Sequence, residues 1–114
     1  MGRRADKLTT MDHKPKFFIG QVICHGKFGY RGVIVDVDPV FQGTDEWYEQ
    51  VARSCPPKDR PWYHVLVHEA EHSTYVAERH LDPDPQGGQI DHPALGRFFS
   101  RFVGGCYLSA RAPH

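Results

Sequence analysis

Five residues in the middle of the chain, His68, Glu69, Ala70, Glu71 and His72, satisfy the H-E-x-x-H pattern of zinc proteases. On a helix, that spacing sets both imidazoles on one face, where they hold a single zinc while the glutamate polarises its bound water. The chemistry needs a helix, and the flanking sequence does not favour one. Val65, Leu66 and Val67 lead into the pattern, and Thr74, Tyr75 and Val76 follow it, a β-branched and aromatic setting that suits strands. Histidines four apart on an extended strand have Cα atoms about 13 Å from each other, too far to share one ion. Glu78 lies ten residues after His68, where some zinc-protease families place a third ligand, but Tyr75 stands where those families have a turn-forming glycine. The pattern is therefore expected to end one strand and begin a hairpin turn, with no metal, no cofactor and no catalysis.

Other candidate groupings are also weak as active sites. Asp36 and Asp38 share a strand face and resemble a catalytic carboxylate pair, yet no partner acid or base accompanies them, and Asp38-Pro39 reads as a strand ending. Cys24 and His25 are neighbours, so on a strand they point to opposite faces and cannot form a nucleophile and base. Cys24, Cys55 and Cys106 are odd in number, widely spaced and free of C-x-x-C, which argues for free thiols over a disulfide framework or structural zinc.

More promising for binding is "HGKFGYR", His25 to Arg31. Its basic side chains Lys27 and Arg31 suit phosphate, and Phe28 and Tyr30 offer stacking faces. His25 lies at its start, and Trp62 and His64 share a face of a later strand. Each has a structural reading as well. Phe28 and Tyr30 also suit core closure, Gly26, Gly29 and Gly32 suit turns, Arg31 suits simple solvation, and His64 suits a hydrogen-bonded position in the sheet.

The elements that must position these residues follow from periodicity. Residues 17–39 give two apolar runs around a glycine-bearing loop, with Val33, Val35 and Val37 alternating against Ile34, Asp36 and Asp38. Thr44 is a helix cap ahead of Asp45 and Glu46, and Trp47, Tyr48, Val51 and Ala52 share the face of a short helix that Pro56 and Pro57 stop. Tyr63, Val65 and Val67 alternate with Trp62, His64 and Leu66 in a strand whose hairpin partner is "HSTYVAE". "ERHL" adds a helical turn, and "DPDPQGGQIDHP" is a connector. Leu95, Phe98, Phe99 and Phe102 suit one or two helical turns that close the core, followed by a "CYLS" strand. Residues 1–15 read as a flexible leader, and 16–114 as a single mainly β domain of about five strands.

With 14 basic and 14 acidic residues the chain is formally neutral, so any attraction to nucleic acid must come from local patches. No apolar run approaches the length of a membrane span, and the first residues lack the apolar stretch of a signal peptide, so a soluble, cytoplasmic protein is expected.

The segments "KFFIGQVICHGKFGYRGVIVDVDPVF", "PWYHVLVH" and "TYVAERHL" together resemble the HspQ family, also called the YccV-like or hemimethylated-DNA-binding domain. The resemblance runs from about Lys16 to Leu81, and "HPALGRFFSRF" is similar to the C-terminal extension of some members. It implies a small, partly open, SH3-like β-barrel, with HEAEH at a hairpin tip. It also implies a non-enzymatic binding role, for which two partners are in view. One is hemimethylated duplex DNA, contacted through the His25–Arg31 loop and the aromatic edge around Trp62 and His64. The other is a Lon-type ATP-dependent protease, served by a small stress-response adaptor through a sheet edge or the aromatic C-terminal segment. Neutral net charge favours the second.

Overall fold

The computed structural model describes residues 14–109. Most of the leader, residues 1–13, and the final residues 110–114 lie outside that range. Seven strands form. β1 (Val22–His25) and β2 (Arg31–Asp38) are joined by the HGKFGYR loop, and helix α1 (Asp45–Val51) follows. β3 (Trp62–Val67) and β4 (Ser73–Ala77) make the next hairpin, and a 3-10 turn (Glu78–His80) leads to β5 (Leu81–Pro83). α2 (Leu95–Phe98), β6 (Phe99–Val103) and β7 (Cys106–Ser109) complete the order. The first five strands form one antiparallel sheet in the order β4-β3-β2-β1-β5, and β6 pairs with β7 alone. The sheet does not close, since β4 and β5 are its two edges, which matches the expected partly open β architecture.

Both faces of the large sheet are covered. Ile23, Ile34, Tyr63, Val65, Val76 and Leu81 pack with Phe17 on one face. Val22, Val33 and Leu66 pack on the other against Ile90, Phe99 and Tyr107. This explains why β3 is buried at five of its six positions while alternating in sequence as a half-buried strand would.

Alternation fails in β2. Ile34 pairs with Val65 and Asp36 with His64, so Val35 is a bulged extra residue. Val33 and Val35 therefore face the second core, whereas Val37 packs against the first. The three valines do not share one face, contrary to a simple period of two, because one extra residue reverses every side chain beyond it.

The helix begins as its cap predicts, with the Trp47 amide donating to Thr44 Oγ1 at 3.1 Å. Two strands depart from expectation. β5 is three residues long and ends in Pro83 at a sheet edge, where a missing N–H is tolerated. β6 takes the place of the second aromatic helical turn: α2 stops at Phe98, and Gly104 (φ 60°) and Gly105 (φ 85°) supply the two positive φ values that a two-residue hairpin turn requires. Phe99 is buried and Phe102 half-buried, but Phe98 stays 39% exposed, so only part of the aromatic cluster closes the core. The small sheet is tied on through Gly20. The Gly20 amide donates to the Ile34 carbonyl at 2.8 Å and its carbonyl accepts from Tyr107 at 2.8 Å. At φ 97°, with the Tyr107 carbonyl oxygen 2.1 Å from where a Cβ would stand, only glycine fits.

HEAEH forms the β3–β4 loop. Glu69 has φ 59°, the His68 amide donates to the Arg31 carbonyl at 2.8 Å, and His68 Nδ1 accepts from the Asp91 amide at 2.8 Å. His92, itself buried, accepts from the Ala94 amide at Nδ1, so its Nε2–H donates to the His72 carbonyl at 3.0 Å. The histidines of the pattern thus belong to a turn laced to the connector, as the flanking β-branched residues required. Cys24, Cys55 and Cys106 are free thiols.

Candidate functional site

Six of the seven candidate residues come together. His25, Lys27, Phe28, Tyr30, Trp62 and His64 line one groove of about 620 Å³. Its far wall consists of α1 and the segment after it, Trp47, Val51, Ala52, Arg53, Ser54 and Pro56, and its other side consists of β4 and His80. Arg31 is elsewhere. Its Nε donates to Asp84 Oδ2 at 2.8 Å and its Nη2 to the Gly88 carbonyl at 2.7 Å, so it anchors the connector after β5 instead of facing a ligand.

The loop after β1 is built around an imidazole. His25 Nδ1 accepts the backbone amides of Lys27 (3.1 Å) and Phe28 (3.0 Å), so the neutral ring carries its proton on Nε2. Burial above all, then His80 and Lys27, hold the His25 pKa below the usual 6.5. Phe28 stacks on His25 at 4.7 Å and 22°, and His25 on His80 at 5.5 Å and 9°. Three near-parallel rings thus form a column whose outermost member, Phe28, is 72% exposed. One face of the Phe28 ring thus rests on His25 while most of the side chain stands in solvent. Lys27 lies 5.9 Å from its centroid. Tyr30 divides from Phe28. It packs half-buried on the first core, and its hydroxyl meets Thr74 Oγ1 at 2.7 Å, linking the loop to β4.

Trp62 occupies the base of the groove at 1% exposure, with its indole N–H donating to the Pro57 carbonyl at 3.0 Å. The expected aromatic edge is therefore interior: Phe41, Trp47 and Tyr75 lie within 6.0 Å of the Trp62 ring and cover it. His64 donates from Nε2 to Asp38 Oδ2 at 3.1 Å, and Tyr75 donates to the same oxygen at 2.7 Å. Asp36, Asp38 and His64 place their ligand atoms within 4.8 Å of one another, the one grouping of three potential metal ligands among the described residues. The carboxylate pair noted in the sequence is thus linked to a histidine, with Asp38 acting as an acceptor for two side chains of the adjoining strands.

Arg53, Ser54, Tyr75 and His80 complete the groove and were not legible as site residues. His80 Nε2 meets Ser54 Oγ at 2.9 Å, and burial, then Arg79 and Lys27, lower its pKa as well. The groove therefore brings together two lysine or arginine side chains, three histidines and five aromatic rings. The hemimethylated DNA-binding protein YccV-like family matches residues 15–106. The chain belongs to this family. The match covers every element of this YccV-like domain from β1 to β6 and the start of β7, so the groove lies wholly within it. No helix among the described residues is long and apolar enough to cross a membrane.

The depressed His25 pKa gives the YccV-like domain a pH dependence of defined sign. The unfolded imidazole binds its proton at a higher pH than the folded one, so folding is favoured while both are neutral. That contribution is complete above about 6.5 and is lost as pH falls from there through the lowered folded-state value. His25→Ala, which leaves two backbone amides without their acceptor, should cost about 1–2 kcal/mol at pH 7.5. In urea titrations the gap between wild type and variant should narrow by pH 5.5. A gap that widens on acidification contradicts the neutral-histidine assignment.

Proposed function

We propose that residues 16–114 act as one non-enzymatic, cytoplasmic module that binds duplex DNA at hemimethylated sites through this groove and the Lys27–Phe28 loop. The observation that carries the reading is the make-up of the groove. In a chain with as many acidic as basic residues, the described residues that line it include the cations Lys27 and Arg53 and no carboxylate, while His25 and His80, with their lowered pKa values, add neutral rings. Asp38, the acceptor for Tyr75 and His64, is not among the lining residues. Local cationic character beside an exposed aromatic ring is what phosphate contact and base stacking require, and it answers the objection raised by zero net charge. The family description, a hemimethylated DNA-binding protein, agrees with that chemistry.

The test is a titration of hemimethylated, fully methylated and unmethylated duplexes at near-physiological salt. The hemimethylated duplex should bind most tightly. Equal affinities that vanish together as salt rises would mean a sequence-blind phosphate attraction and defeat the proposal. Failure of all three duplexes would leave the second reading, an adaptor for a Lon-type ATP-dependent protease. Exposed Phe98, Val103 and Leu108 in the C-terminal segment favour that reading as apolar contact surface.

A further inference from the structure

We infer that the domain opens the duplex it binds: Phe28 enters the base stack as a wedge, and one displaced base is received in the adjoining groove. The inference rests on the DNA-binding reading and specifies how that site engages its ligand. Three features carry it.

The first is the ring column. A wedge must resist folding back against the protein when pushed between bases, which is why apolar side chains that unstack base steps need support behind them. Phe28 has it. Its ring rests on His25 and His25 on His80, with interplanar angles of 22° and 9°. Its own backbone amide is fixed by His25 Nδ1 at 3.0 Å. The outer face of the column is a planar aromatic surface, 72% exposed, to which a base adds as the next ring. Lys27, adjacent in sequence, stands where the distorted backbone needs its phosphate charge balanced.

The second is the cavity. Proteins that extrude a base from a duplex rotate it out of the stack into a pocket, where aromatic and apolar walls replace its lost stacking. The groove beside Phe28 holds about 620 Å³, within the range of roughly 300–1,000 Å³ usual for small-molecule sites. Trp47 and Tyr75 supply aromatic walls, and Val51, Ala52 and Ala77 supply apolar surface suited to a methyl group. The Tyr30 and Thr74 hydroxyls, and Ser54 with His80, supply hydrogen-bonding groups of either polarity for the edge of a base.

The third is that no carboxylate lines the groove among the described residues, Asp38 being taken up by His64 and Tyr75; carboxylates there would suit a partner rich in lysine or arginine and would oppose a nucleotide's phosphate. An extruded nucleotide brings one negative charge into a groove whose lining includes Lys27 and Arg53.

The experiment uses the full chain and duplexes with one N6-methyladenine or one 5-methylcytosine on a single strand, with 2-aminopurine immediately 3′ of the methylated base. A second set carries 2-aminopurine, paired with thymine, on the unmethylated strand immediately 3′ of the base opposite the methylated one. Binding is followed by anisotropy and unstacking by 2-aminopurine fluorescence in the same samples. At saturating protein, fluorescence should rise several-fold in at least one duplex. Phe28→Ala, read at its own saturation, should lose the rise, and Phe28→Tyr should restore it; because Phe28 is exposed, circular dichroism should show both variants folded. Methylation-dependent binding with no rise in any duplex overturns the wedge and leaves the DNA-binding reading standing. A rise that survives in Phe28→Ala overturns the assignment of Phe28. A rise without methylation preference supports base extrusion while sinking the hemimethylation reading. Absence of binding to every duplex removes both.

Discussion

Changing Lys27 and Arg53 together to glutamate should weaken duplex binding by about a hundredfold at near-physiological salt, because two phosphate contacts are lost and two repulsions replace them. The slope of log affinity against log salt should fall by about two, roughly one for each contact. Both side chains are exposed and stand on different parts of the groove, one on the β1–β2 loop and one just beyond α1. Their removal should therefore leave the thermal midpoint within a few degrees of wild type, since exposed substitutions usually change stability by less than about 0.5 kcal/mol. The pairing of a large binding loss with an intact fold is the decisive result. Undiminished affinity in a folded double variant would place DNA on another face. Arg31 does not belong to this set despite its position in the same loop, because its guanidinium is already committed to Asp84 and Gly88.

That contrast shows what the sequence could and could not convey. The β1–β2 loop, the capped helix and the β3–β4 hairpin follow from local patterns, and so does the replacement of a zinc-protease helix by a turn at His68–His72. Each depends on interactions spanning a few residues: a cap at Thr44, alternation along residues 62–67, and β-branched neighbours around HEAEH. The bulge at Val35 was not legible, since nothing in an alternating run marks the residue that loses its partner. Nor was β5, whose three residues become a strand only by pairing with Ile23, Cys24 and His25. The aromatic spacing after Leu95 gave the one helical turn that forms, Leu95–Phe98, but not its end, because Phe98, Phe99 and Phe102 fit a longer helical period and also a helix end followed by a strand. The Gly104-Gly105 turn decides between them.

The site divides in the same way. Lys27 and Phe28 were recognisable because a basic and an aromatic residue sit together in a loop. Arg53 and His80 were not, because they are 26 and 53 residues away from Lys27 and join it only as lining of the same groove. The role of His25 needed geometry as well: a histidine in a loop gives no hint that its Nδ1 organises two amides or that His80 stacks behind it.

Trp62 is the candidate whose role the structure alters most, and Trp62→Ala should destabilise the protein by about 3–5 kcal/mol, a large part of the roughly 5–15 kcal/mol that a domain of this size possesses. The loss has two sources. The indole fills the space beneath Phe41, at 4.8 Å, Tyr75, at 5.2 Å, and Trp47, at 6.0 Å, so truncation leaves a cavity that α1 cannot fully collapse into. The indole N–H also satisfies the Pro57 carbonyl, which fixes the segment leading back into β3. Trp62→Phe should retain most of the packing and cost about 1–3 kcal/mol, with the unpaired carbonyl as the main term. Urea denaturation measures both. Because Trp62 holds the wall that carries Trp47 and Arg53, binding by Trp62→Ala should fall only as that wall loosens, and Trp62→Phe should bind within a few-fold of wild type at a temperature where it is folded. A stability loss below about 1 kcal/mol for Trp62→Ala, joined to a large loss of DNA affinity, would return Trp62 to the surface role that its sequence neighbours suggest.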